Sequence, residues 1–347
     1  MARRKLIWSL AALGAAIAAL WLLWYLAARR GFDWNAFFAT LTGLDWRWLL
    51  ASVLVGLATY INRAFRWAVL IQPVKPHPSL WNLNIATAIG FAAITIFGRP
   101  GELVRPYLIA KKEAVPVSSQ LAALFLERIY DLLGALLVFG FALSQVRAST
   151  VAVGPELAWV LSMGGRSAFA IGAICLLVLF LVRQFAEPMR RRLIDALGFL
   201  PPHLRERAEK LANAFVQGVQ ATRSLRSLVL LAALTIVEWV LIALCFAAMV
   251  RAFGGLVHMD MVDVLIFMGF VAFGAIVQIP GVGGGFQVVA VLVLTRLFGL
   301  RLEAATSVAM LMWAVSFLVI VPIGLLLALH EGLSLRKLRD LGQEAGS

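Results

Sequence analysis

The 347 residues are 62% hydrophobic and only 14% charged, whereas soluble domains carry about 45–50% apolar and about 25% charged residues. A soluble enzyme is excluded; so is a membrane β-barrel, because the apolar residues come in runs of about 20, with none of the alternating segments of about ten that barrels need. The net charge of +13 sits in the connections between those runs, the positive-inside pattern of a membrane protein, and no basic soluble module remains to bind nucleic acid.

Arg3, Arg4 and Lys5 precede an uncharged run over residues 6–28, too long for a signal-peptide core and without a small-residue cleavage site, so it is predicted to be an uncleaved first span. Further spans are predicted over residues 48–61, 118–143, 167–182, 228–250 and 304–329. Two intervening regions are irregular. Residues 80–97 contain Asn82, Asn84, Thr87 and Thr95, and residues 262–300 are interrupted by Pro280 and a glycine cluster. Both read as broken or re-entrant helices. The fold class expected is therefore all-α, a polytopic membrane helix bundle of about eight spans.

The chain reads as one integral membrane domain over residues 1–347, with a first half at 6–145, a second at 227–330 and a tail at 331–347. If the amino terminus is inside and residues 80–97 return to the side they came from, most Lys and Arg residues fall on the cytoplasmic side. Both termini are then cytoplasmic, in a bacterial plasma (inner) membrane. The connection at 183–226 carries nine basic and four acidic residues, with Leu193, Ile194, Leu197, Leu204, Leu211, Phe215 and Val219 in helix-like spacing. It is either a pair of amphipathic helices on the cytoplasmic leaflet or a solvated connector whose charge fixes orientation. The same count exposes an internal symmetry: a span, an irregular segment and a span at residues 48–143 recur inverted at 228–329, the arrangement of transporters whose site lies between broken helices. This symmetry is architectural; the second irregular segment reads equally as two full spans.

Cys175 and Cys245 lie inside apolar runs, and His77, His203, His258 and His330 are scattered singly. Neither disulfide nor metal spacing results, and no cofactor is expected.

Three constellations stand out. In the first, Gly98-Arg99-Pro100-Gly101-Glu102-Leu103-Val104-Arg105-Pro106, glycine and proline stop a helix. Arg99 and Arg105 supply fork-shaped donors suited to a lipid phosphate, with Glu102 placed to hold one of them. The alternative is a basic turn at the interface. The second, Glu127-Arg128-Ile129-Tyr130-Asp131, interrupts an apolar span. Ionisable groups at this depth cost at least about 2.5–3.5 kcal/mol each and normally pair inside a bundle. Arg128 and Asp131 can pair three residues apart, but Glu127 and Asp131 repel, so one carboxylate needs a further partner among Arg99, Arg105, Arg63 and Arg66. The cluster is either a structural clamp or a substrate-handling site. The third, Gln278-Ile279-Pro280-Gly281-Val282-Gly283-Gly284-Gly285-Phe286-Gln287, cannot remain helical; its freed amides form an anion site or a hinge. Glu238 and Arg296 each interrupt an apolar run and should face protein or water.

In order and spacing, Gly98 to Arg105, Glu127 to Asp131 and Pro280 to Gly283 resemble the lysylphosphatidylglycerol synthase transmembrane-region family of flippase-like membrane proteins, over roughly residues 10–330. The resemblance implies a bundle of about eight spans, related to the part of multiple peptide resistance proteins that moves aminoacylated phosphatidylglycerol between leaflets. Some relatives accompany glycosyltransferases, polyprenyl-linked sugars or hopanoid lipids. No soluble aminoacyl-transfer domain precedes Ser347, so a complete synthase is not expected. One departure is Gln287, where the family often has glutamate.

The function expected is translocation of a phospholipid or a polyprenyl-phosphate-linked sugar, with Arg99, Gly101, Glu102, Arg105, Glu127, Arg128, Asp131, Glu238, Gly281, Gly283 and Gln287 as substrate-binding candidates. The alternatives are a non-catalytic partner of a glycosyltransferase or lipid synthase, and a membrane-embedded transferase using Glu102, Glu127 or Asp131 as base.

Overall fold

The computed structural model describes residues 31–146, 225–275, 278–279 and 283–333, with isolated positions from 163 to 177 and at 209. The expected span at 6–28, nearly all of the connection at 183–226, most of the span at 167–182, Gly281 and the tail beyond 333 lie outside the described residues.

A short helix, α1 (Trp34–Thr42), is capped by the Asp33 carboxylate and leads into α2 (Trp46–Ile71). Ten residues longer at its C-terminal end than expected, α2 continues through Asn62, Arg63 and Arg66, because its buried face gives each of these a polar partner. Helix α3 (Leu80–Phe97) is also continuous, which corrects the expectation of a broken segment. Its polar side chains do not break it: Asn84 donates to the Leu80 carbonyl, Thr95 to the Phe91 carbonyl and Asn82 to the Glu113 carboxylate. In an apolar setting such internal satisfaction removes the cost of a polar side chain.

The break falls one residue later. After Gly98, at φ 71°, the chain makes a 3₁₀ turn (Arg99–Leu103) and returns as α4 (Val104–Glu113). Glu113 closes the base of this hairpin, accepting from the Ser79 amide at 3.3 Å and Asn82 Nδ2 at 2.7 Å, next to Lys75 Nζ at 3.4 Å. The two legs touch because Gly90 leaves room for Arg105, and Gly101 lies against the Ala93 carbonyl with no space for a Cβ. The turn expected within residues 80–97 instead follows them, at Arg99–Leu103, and α4 runs back along α3.

Helix α5 (Val117–Val146) closes the first half and α6 (Leu225–Ala252) opens the second. A second hairpin follows: α7 (Met261–Gly274), begun by an Asp260/Asp263 capping box, then α8 (Gly285–Arg296). Between them Gln278–Ile279 and Gly283–Gly284 form a two-residue antiparallel pair, the only strands among the described residues. The described part of the second half ends in α9 (Leu302–Trp313), a π-helical turn (Ala314–Leu318) and α10 (Ile320–His330). Among the described residues, Trp46–Ile71, Leu80–Phe97, Arg226–Ala252 and Leu302–His330 are long and apolar enough to cross a bilayer.

The halves are antiparallel. Asp45 N–H bonds the Ala252 carbonyl at the start of α2, and Asn62 Nδ2 bonds the Leu234 carbonyl near its end, so α2 and α6 run in opposite directions. Each hairpin docks on the closing span of the other half: α3 on α10, where Gly324 meets Ala88 and Ala92, and α7 on α5, where Gly269 meets Phe139. The expected inverted symmetry thus takes the form of an exchange. Apolar cores lie on either side, one around Trp67, Ile89 and Ile109, the other around Phe267, Leu294 and Val308. Leu137, Val288, Leu326 and Leu329 are each about two-thirds or more exposed, as side chains facing lipid must be.

Candidate functional site

Polar residues from four helices and the first hairpin tip meet between the cores. Helical spacing sets Arg63 and Arg66 of α2 on one face, toward α5 and α6. Arg66 Nη1 lies 2.6 Å from Asp131 Oδ1, and its Nη2 donates to the Glu127 carbonyl at 3.5 Å. Arg63 Nη2 lies 2.8 Å from Glu238 Oε1 and Nη1 lies 3.5 Å from Asp131 Oδ2, with the guanidinium 5.0 Å from the Phe91 ring centre. Asn62 Nδ2 donates to Glu238 Oε2 at 2.8 Å. From α4, Arg105 Nη2 lies 2.7 Å from Glu127 Oε1, and its guanidinium sits 3.9 Å from the Trp67 ring centre. Trp67 is itself fixed by donating Nε1–H to Gln120 Oε1 at 2.8 Å.

The network grades from interior to rim. Arg66, Arg105, Glu127 and Glu238 are at most 2% exposed, while Arg128 is 40% and Arg99 is 59% exposed. The buried members are matched acid to base, the arrangement that makes charge tolerable inside a bundle. At the rim, Glu102 lies between two arginines, 3.4 Å from Arg99 Nη1 and 3.9 Å from Arg128 Nε, and Arg128 Nη1 lies 3.5 Å from Asp131 Oδ2. Five guanidinium groups face four carboxylates, which leaves one positive charge in excess.

The rim and part of the interior line a cavity of about 340 Å³, with Arg63, Arg99, Glu102, Arg128, Asp131 and Glu238 on its polar side and Trp239, Phe273 and Phe317 among its apolar residues. Its volume falls within the range of small-molecule sites, about 300–1,000 Å³. Arg63 is about 12 Å from the C-terminal end of α2, Arg128 about 17 Å from the start of α5 and Glu238 about 20 Å from the start of α6, at 1.5 Å per residue. Each of these residues thus lies two or more helical turns inside its helix, where an ionisable group needs a partner.

Of the sequence candidates, the cavity gathers Arg99, Glu102, Arg128, Asp131 and Glu238. Arg105 and Glu127 stand behind that wall as a buried pair, and Gly101 packs the hairpin tip against α3. Gly283 belongs to the short strand pair, and Gln287 accepts from the Gly284 amide at 2.7 Å, capping α8. The second hairpin reaches the cavity through Ala272, Phe273 and Ala275. Sequence reasoning named Arg63 and Arg66 only as partners and missed Asn62, Trp67 and Trp239. Asn62 adjoining Arg63, and Trp239 adjoining Glu238, were the available signals.

A family model for the lysylphosphatidylglycerol synthase transmembrane region matches residues 10–324. The chain belongs to that family. The matched lysylphosphatidylglycerol synthase region contains both hairpins and every arginine and carboxylate of the network. Membership and the apolar helices together make the chain a multi-pass membrane protein with a lipid-related role. No curated protein matches it.

Proposed function

We propose that the chain translocates a phospholipid or a lipid-linked sugar between leaflets, binding the anionic headgroup in the cavity between the two hairpins. The observation carrying this reading is the half-exposed pair Arg99 and Arg128 on either side of Glu102, on the wall of a cavity that also has apolar sides. Charge-assisted bonds from two guanidinium groups suit a phosphate, and Glu102 and Asp131 keep both groups aimed while the site is empty. Arg105 and Glu127 act behind them, joining α4 to α5.

The membrane is a bacterial inner membrane, entered with both termini cytoplasmic. The basic connection at 183–226 leads into α6 on the face where α2 ends, which supports reading that face as the cytoplasmic one. The exchange of hairpins between halves supports a motion in which one half rocks against the other around a fixed site.

The test is lipid movement in proteoliposomes by the charge-neutral variants Arg99→Gln, Glu102→Gln and Arg128→Gln, with folding checked by gel filtration in detergent. Loss of movement with folded protein is expected. Unchanged movement in all three overturns the site, and selective retention of a glycosyltransferase or synthase by a protein that moves no lipid replaces translocation with a partner role.

A further inference from the structure

A second chamber, of about 180 Å³, adjoins the charged cavity and shares Arg63, Phe91, Trp239 and Phe317 with it. It extends along α2 from Arg63 to Gly56, a step of about 10 Å at 1.5 Å per residue, toward the end of α2 opposite the Glu113 face. Between α2 and α6 it is bounded by Gly56 and Cys245, and at the far side by Phe286, in the first turn of α8, with Phe317 of the π-helical turn.

The indole N–H of Trp239 has no hydrogen-bond partner among the described residues, but the polar groups of Thr59, Tyr60, Arg63 and Cys245 on the walls are already committed. The Tyr60 hydroxyl is committed to the Ser316 carbonyl at 2.8 Å, Thr59 Oγ1 to the Gly56 carbonyl at 2.7 Å and Cys245 Sγ to the Ser52 carbonyl at 3.3 Å. Arg63 turns its nitrogens to Asp131 and Glu238. An enclosed apolar cavity of about 150 Å³ takes up hydrocarbon such as benzene; this chamber is of similar volume but opens into the charged cavity.

We propose that this chamber binds a hydrocarbon tail of the same amphiphile whose anionic head occupies the charged cavity, so that head and tail are both held inside the protein. The inference rests on the lipid-moving reading above and sharpens it: a tail is drawn in between α2, α6 and α8 instead of being left in the bilayer.

The experiment uses dodecyl phosphate bearing a terminal diazirine, added as a trace component to phosphatidylcholine vesicles containing the full-length protein. After photolysis, labelled residues are located by peptide mass spectrometry, and phosphate retention is measured in parallel on the unsubstituted protein and on Arg128→Gln. Label on Cys245, Phe286 or Phe317, lost in Gly56→Leu, is the expected result. Label confined to lipid-facing positions such as Leu137 and Val288, with retention that still depends on Arg128, overturns the tail chamber and leaves the translocation reading intact. Retention that is negligible and equal in the two proteins overturns both.

Discussion

Arg63 joins two carboxylates from different halves of the chain, with Nη2 2.8 Å from Glu238 Oε1 and Nη1 3.5 Å from Asp131 Oδ2. Removing one partner of a buried ion pair costs about 3–5 kcal/mol. Arg63→Met therefore destabilises the protein more than Glu238→Gln does, since it strips two carboxylates at once, whereas the glutamine can still accept from Asn62. Urea unfolding in detergent micelles reads the order; equal losses would show that Arg63 serves Glu238 alone.

Arg105 and Arg99 lie in one motif but differ in kind. Arg105→Gln leaves Glu127 buried without its closest partner and costs about 3–5 kcal/mol, so the variant fails at folding. Arg105→Lys keeps the charge but gives up the stack on Trp67, which is worth about 2 kcal/mol in a desolvated setting. Arg99→Gln, at a residue more than half exposed, leaves the melting temperature within experimental scatter while lipid binding falls. Thermal melts of the three variants in one detergent check the contrast.

Gly101 is fixed by proximity. A Cβ there would overlap the Ala93 carbonyl, and forcing atoms into a packed interior costs about 1–3 kcal/mol. Gly101→Ala is expected to lower stability and to displace the tip that carries Arg99 and Glu102. Gly140→Ala is the control: nothing lies within 4 Å of the added methyl, and alanine favours the helix by about 1 kcal/mol. Opposite shifts in melting temperature are the expected outcome.

Gln287 accepts from the Gly284 amide at 2.7 Å, a bond that glutamate makes equally well at a helix amino terminus. Gln287→Glu is expected to keep the fold, while Gln287→Leu loses the cap at about 1 kcal/mol. Hydrogen exchange at the Gly284 amide separates the two: protection persists in the first variant and drops in the second.

Much of this site is legible in the sequence, because a charge in an apolar run has to be paired. That rule led from Glu127 to a short set of arginines that includes its partner, Arg105. Glycine and proline likewise marked the helix stop at Gly98 and the break before α8, although the turn-back of the first hairpin was expected earlier, within residues 80–97. Other features were not legible. The span at 48–61 was ended too early because Asn62, Arg63 and Arg66 look like a helix exit, and only the facing carboxylates of α5 and α6 make them interior residues. Asn82, Asn84, Thr87 and Thr95 suggested a broken helix, yet three of these four satisfy themselves on carbonyls or on Glu113. In each case the deciding partner lies on another helix or on the turn behind, where a linear hydropathy pattern carries no information.

The exchange of hairpins also fixes an order of assembly. The seat of α3 is α10, made last of the described helices; at a synthesis rate of 5–20 residues per second, roughly 10–45 s separate Phe97 from its packing partner. Throughout that interval the tip with Arg99 and Glu102 has no finished wall opposite, since Phe317 lies just before α10. A nascent chain thus holds an incomplete, inert pocket until α10 arrives, and any truncation before Leu302 leaves the first hairpin exposed to the quality-control proteases of the membrane.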